Sequence, residues 1–177
     1  MQKHTKPSEP EWWQRGPVDG VIPELQPVAH ALLQARDEIN AVVSDFPESH
    51  LWIPLHEMAS VAFHLQHIVG VIDRLFTYAN GQTLSEEQMA YLKEEGVKKD
   101  GLTLPVLVKK LNERVDQAIR ELKKFQPGTA TTERFIGRKK IPTTEIGLLF
   151  HAAEHTMRHT GQLLVTVGSV RHFTLDL

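Results

Sequence analysis

Four long stretches of this chain repeat apolar side chains at three- and four-residue intervals, and nothing alternates with a period of two for long enough to read as a sheet. That constraint leaves little but helices packed on helices. The first stretch runs from about Pro23 to Phe46, with Leu25, Val28, Ala29, Leu32, Leu33, Ile39, Val42 and Val43 as its stripe. Pro23 suits a first turn, Pro27 allows a later start, and Pro47 ends the helix. The second runs from about Pro54 to Ala79, with Met58, Val61, Leu65, Ile68, Ile72, Leu75 and Phe76 on one face and Asn80-Gly81 as its stop. The third covers about Leu104 to Phe125, before Pro127-Gly128. The fourth starts at a cap on Thr143 or Thr144 and reaches about Val170.

Between the second and third lies a link of about 24 residues, Asn80 to Thr103, long enough for a crossover. Within it Ser85-Glu86-Glu87-Gln88 has the form of a capping box, opening a short extra helix to about Glu95. The polar run TATTERFIGRKK reads as a loop. The fold class expected is therefore all-α, a four-helix bundle with one short additional helix. Residues 1–22, with three prolines and two glycines, read as an irregular N-terminal arm that Trp12 and Trp13 pin to the body. Residues 23–177 read as a single domain, a size that 177 residues and 41% hydrophobic content support.

Bulk chemistry removes several classes of function. Twenty basic residues face twenty-two acidic ones, for a formal charge of −2, so no global field points to nucleic acid or lipid. There is no cysteine, which excludes disulfides, thiolate nucleophiles and Cys-based metal sites. The first residues lack the apolar core of a signal peptide, and no apolar run approaches the ~18 residues of a membrane span. A cytoplasmic protein acting on a small molecule is the expectation.

Histidine is the residue in excess. The chain has ten, and five of them (His64, His67, His151, His155 and His159) fall in two helical stretches. Four residues advance a helix by roughly 40° and ~6 Å, so His151, His155 and His159 form a ladder spanning about 80°. Leu148, Ala152, Leu163 and Thr166 share that side, so the ladder faces the bundle interior. Two imidazoles one turn apart can direct ring nitrogens to a point ~2 Å from each, as a zinc-type ion requires. A lone core histidine is more simply a hydrogen-bonded core residue. Three at successive turns must each be satisfied, and one ion satisfies several at once.

The second helix supplies partners. His64 lies near the middle of the apolar stripe and His67 at its margin, so burial alone favours His64 as the inward group. Asp73 and Glu154 are candidate supporting or acid–base groups, and Gln162 lies close to the ladder's azimuth. No HExxH, GxSxG, P-loop or GxGxxG sequence is present.

Two segments, His67-Ile-Val-Gly-Val-Ile-Asp73-Arg-Leu and His155-Thr-Met-Arg-His159-Thr-Gly-Gln162-Leu, resemble those of the DinB (DinB/YfiT-like) family. The first matches that family's helix-two pattern of a histidine with an acidic residue six positions on. The second matches its HxxxHxGQ(L/I) signature. The resemblance extends over roughly residues 23–170. It implies an up-down-down-up order of the four helices and a divalent ion, nickel or zinc, bound by His67, His155 and His159. His64 and His151 become neighbours of the site and the alternate ligands.

Family members with known chemistry include a mycothiol-dependent maleylpyruvate isomerase and bacillithiol transferases. The resemblance therefore implies a metal-dependent enzyme that transfers a low-molecular-weight thiol to an electrophile. A metal-dependent hydrolase and a non-catalytic metal-binding stress-response protein are the alternatives. Homodimers are common in the family, and exposed apolar helix faces permit one here.

Overall fold

The structure, a computed structural model, describes residues 9–54 and 57–175, with side chains to residue 172. Helix α1 spans Gln26–Val43, α2 Val61–Ala79, the short α3 Glu86–Glu94, α4 Leu104–Leu122 and α5 Glu145–Leu175. Between α4 and α5 lies a two-stranded antiparallel sheet, β1 Glu133–Ile136 and β2 Ile141–Thr144. The chain is thus mostly helical. The hairpin corrects the expectation of a loop across TATTERFIGRKK.

The helix ends follow local chemistry. A 3₁₀ turn at Pro23–Leu25 precedes α1, which begins one residue before Pro27. Helix α2 starts later than expected because Ser60, not Pro54, caps it: the Ser60 hydroxyl accepts the Phe63 N–H at 3.2 Å. Leu55 and His56, inside the expected helix, lie outside the described residues. Ser60→Ala is expected to cost about 1 kcal/mol in urea denaturation, with Ser60→Gly costing only a few tenths. The capping box at Ser85 forms as read, with Gln88 Oε1 accepting the Ser85 N–H at 3.0 Å. Thr144 caps α5, its hydroxyl accepting the Gly147 N–H at 3.1 Å.

Leu32 and Ile39 of α1, Leu65, Ile68, Ile72 and Phe76 of α2, Leu107, Leu111 and Leu122 of α4, and Leu148 and Leu149 of α5 are fully buried in one core. These are largely the stripes read from spacing. Trp12 ties the N-terminal arm to α1 through its indole N–H, which donates to Asp37 at 2.7 Å, whereas Trp13 stays exposed. Residues 1–8 of the arm lie outside the described residues. No described helix is long and apolar enough to cross a membrane.

The hairpin has a structural task. Arg134 of β1 donates from Nε to the Ala79 carbonyl at 2.6 Å, at the end of α2. Its Nη2 meets Glu145 at 2.7 Å, at the start of α5. Glu145 is buried, and its other oxygen accepts the Thr129 hydroxyl at 2.6 Å. One guanidinium therefore joins the two helices that carry the histidines.

Candidate metal centre

Helices α2 and α5 lie antiparallel, so His64 meets His159 and His67 meets His155. His67 and His155 approach Nε2 to Nε2 at 3.0 Å. The ring centre of His159 is 4.4 Å from that of His67 and 4.6 Å from that of His155. Each of the three offers a ring nitrogen, and no two of these atoms are more than 4.8 Å apart. Phe63, one turn before His67, stacks on the His67 ring at 5.2 Å with planes 11° apart.

Proton accounting makes this cluster unusual. A neutral imidazole has one N–H and one lone pair, and a carboxylate only accepts. His67 Nδ1 lies 2.7 Å from Glu95 Oε2, so it is the donor, and in the neutral ring His67 Nε2 presents a lone pair to His155. If His155 donates from Nε2, its Nδ1 is left as an acceptor, yet that atom is buried with no hydrogen-bond partner among the described residues. If His155 carries its proton on Nδ1, two lone pairs face each other at 3.0 Å. Either tautomer leaves a ring nitrogen unmet, at a cost of about 1–3 kcal/mol. A cation shared by the facing Nε2 lone pairs would replace their repulsion with two ligand bonds, with the His155 proton on Nδ1.

For His64, His155 and His159 the electrostatics favour the neutral ring, the form that binds metal. Burial, and then repulsion from His67 when that ring is protonated, pushes His64 down to about 4. Burial, followed by His67, His155, His64 and Arg158, pushes His159 down to about 4. His155 is lowered for the same reasons, burial first and then His67, His151 and Arg158. Three imidazole nitrogens suit a divalent first-row ion of the zinc type.

The remaining residues singled out in the sequence divide clearly. His64 is 3% exposed and contacts His159 Nδ1 to Nδ1 at 3.1 Å, as a neighbour behind the cluster. His151, the outer rung of the ladder, is exposed and bonded to Glu154 at 2.6 Å. His151, Glu154 and His155 form a second closely spaced group, but the Glu154 oxygens are already taken by His151 and Arg158. Asp73 is not beside the histidines. Its oxygens accept from Gln88 at 2.6 Å and Arg114 at 3.1 Å, in a separate network against α3 and α4.

Gln162 lines a groove of about 410 Å³ together with Met58, Phe63, His64, His159 and Val165. This groove is largely apolar and opens beside His159. Sequence reading missed Glu95 and Arg74. Arg74 Nη1 donates to Glu95 Oε1 at 2.6 Å, while the opposite oxygen takes the His67 proton. The only trace of Glu95 in the sequence is its place in a charged run at the end of a short capped helix.

The sequence model of the DinB superfamily matches residues 31–163. No curated protein matches the chain. Among solved structures, the chain is similar to a conserved protein of Enterococcus faecalis, with a TM-score of 0.65 and 16% identity over 81% of this chain and 94% of that one. It is also similar to a protein of Streptococcus pneumoniae, with a TM-score of 0.61 and 12% identity over 84% of this chain and 90% of that one. At these identities the likeness is one of fold.

Proposed function

Because this chain belongs to the DinB superfamily, we propose that His67, His155 and His159 hold one divalent ion, nickel or zinc, in an enzyme that transfers a low-molecular-weight thiol to an electrophile. The observation that carries this reading is the 3.0 Å approach of two ring nitrogens beside a third imidazole. Pairings along the bundle support the family's up-down-down-up order. Arg36–Asp116 and Asn40–Asn112 set α1 against α4, Asp73–Arg114 and Asn80–Glu121 run α2 with α4, and the histidine pairs set α2 against α5.

A divalent ion with three protein ligands has an open position and lowers the pKa of a thiol or water bound there. The chain's own residues do the rest. Glu95 holds the His67 proton on Nδ1, which keeps Nε2 free to ligate. Met58, Phe63 and Val165 give an apolar wall on which a small substrate can shed water, and Gln162 offers that wall a polar hydrogen-bonding group. With no cysteine in the chain, the thiol comes from outside it.

Protein purified without a histidine tag is expected to carry one nickel or zinc per chain by elemental analysis. Turnover of an electrophile should require an added thiol, stop on chelation and return with the metal. Product formation without thiol would favour the hydrolase instead. Chelation that lowers the melting temperature, with no substrate turned over, would favour the binding protein. Thiol transfer that survives complete metal removal would overturn the proposal.

A further inference from the structure

We infer that Glu95, at the end of α3, is a positioning residue of the metal centre, and that position 70 is glycine in order to admit it. The inference rests on the ligand set proposed above and adds residues that set does not contain. Glu95 is drawn 28 positions along the chain to His67, and its side chain is only 4% exposed. One oxygen accepts the His67 proton at 2.7 Å and the other is held by Arg74 at 2.6 Å. The chain on either side is fastened to α2. The Gly96 N–H donates to the Gln66 side chain at 2.8 Å, and the Tyr91 hydroxyl donates to the Gln66 carbonyl at 3.1 Å. A buried carboxylate so placed fixes both the tautomer and the orientation of the imidazole it meets.

Gly70 is the independent observation. It is buried inside α2, where glycine costs roughly 0.5–1 kcal/mol relative to alanine. A Cβ built there would stand 2.2 Å from Glu95 Oε1, 2.5 Å from Arg74 Nη1 and 3.0 Å from Tyr91 Cε1. No Cβ sits this close to either atom, so even alanine at this position makes the Glu95 carboxylate and the Arg74 guanidinium shift from where they meet His67. The bare Cα, one turn after His67, is the space through which the Glu95–Arg74 pair reaches the ring.

The test compares full-length, untagged wild type with Glu95→Gln, Gly70→Ala and the double variant. Zn²⁺ affinity is measured by competition with a chromophoric chelator, Co²⁺ spectra are recorded on the same proteins, and urea unfolding of the metal-free forms reports the fold. Glu95→Gln keeps the shape and an acceptor for Arg74, so it should fold normally and bind Zn²⁺ about 10-fold more weakly. Gly70→Ala, which removes no polar group, should weaken binding by roughly 10–100-fold. The double variant should lie within about twofold of Gly70→Ala alone, because a displaced carboxylate no longer matters. Both single variants should shift the Co²⁺ bands, which a purely structural ion pair would leave in place. Wild type that binds Zn²⁺ while either single variant stays within about twofold of it, or a double variant showing the product of the two losses, overturns this inference and spares the ligand set. Wild type that binds no metal overturns both.

Discussion

His155→Ala is expected to abolish stoichiometric metal binding while leaving the helices intact. His155 is one corner of the three-ring cluster, with its Nε2 3.0 Å from that of His67 and its ring centre 4.6 Å from that of His159. Its removal leaves two imidazoles, and the loss should exceed the roughly 10–100-fold that disturbing a supporting residue costs. Stability of the metal-free protein should hardly suffer, because the deleted ring includes a buried nitrogen with no hydrogen-bond partner among the described residues. Removing that group can offset the lost packing, so the net change should stay near 1 kcal/mol or below. Elemental analysis and urea denaturation of the same preparation check both halves. His151→Ala should retain full occupancy, since His151 is exposed and bonded to Glu154. Unchanged metal content in His155→Ala would reject the triad.

Phe76→Ala should have the opposite profile, a large loss of stability with the centre's chemistry untouched. Phe76 is fully buried, on the face of α2 turned toward the core, and the Arg114 guanidinium lies 5.6 Å from its ring centre. Truncating a buried phenylalanine costs about 3–5 kcal/mol, a large share of the 5–15 kcal/mol typical of a whole domain. The guanidinium contact adds at the lower end of its usual range, about 0.5 kcal/mol, because Arg114 also pairs with Asp73 and Glu121. Nine residues separate Phe76 from His67, roughly 13 Å along the helix. The folded fraction of the variant should therefore bind metal as wild type does, and denaturant midpoints should fall while affinity at low denaturant holds.

These two substitutions also separate what spacing reveals from what it hides. Phe76 and Leu65 announce themselves through the apolar stripe of α2, and Ser85 through a capping box that forms as read. The histidines are legible as a ladder, but burial points to His64, and His64 is indeed the deeper of the two on α2. Depth does not decide which histidine joins the cluster: His67, at the margin of the stripe, is the one that meets both His155 and Glu95. Glu95 itself could not be read from spacing, because its partner is remote in sequence and its own neighbours, Glu94 and Gly96, look like ordinary solvated surface. The hairpin escaped for another reason. Strands of four residues, one containing Pro142, are too short to display a period of two, and only the contacts of Arg134 disclose their purpose.

That guanidinium acts as the zero mark of a ruler. It ties the end of α2 to the start of α5, and every later side chain on α5 is counted from there. Deleting or inserting one residue between Glu145 and His155 would swing the downstream half of α5 by about 100° and turn both of its imidazoles away from His67. The register of the two imidazoles depends on the count of residues after the hairpin, not on the hairpin's exposed tip.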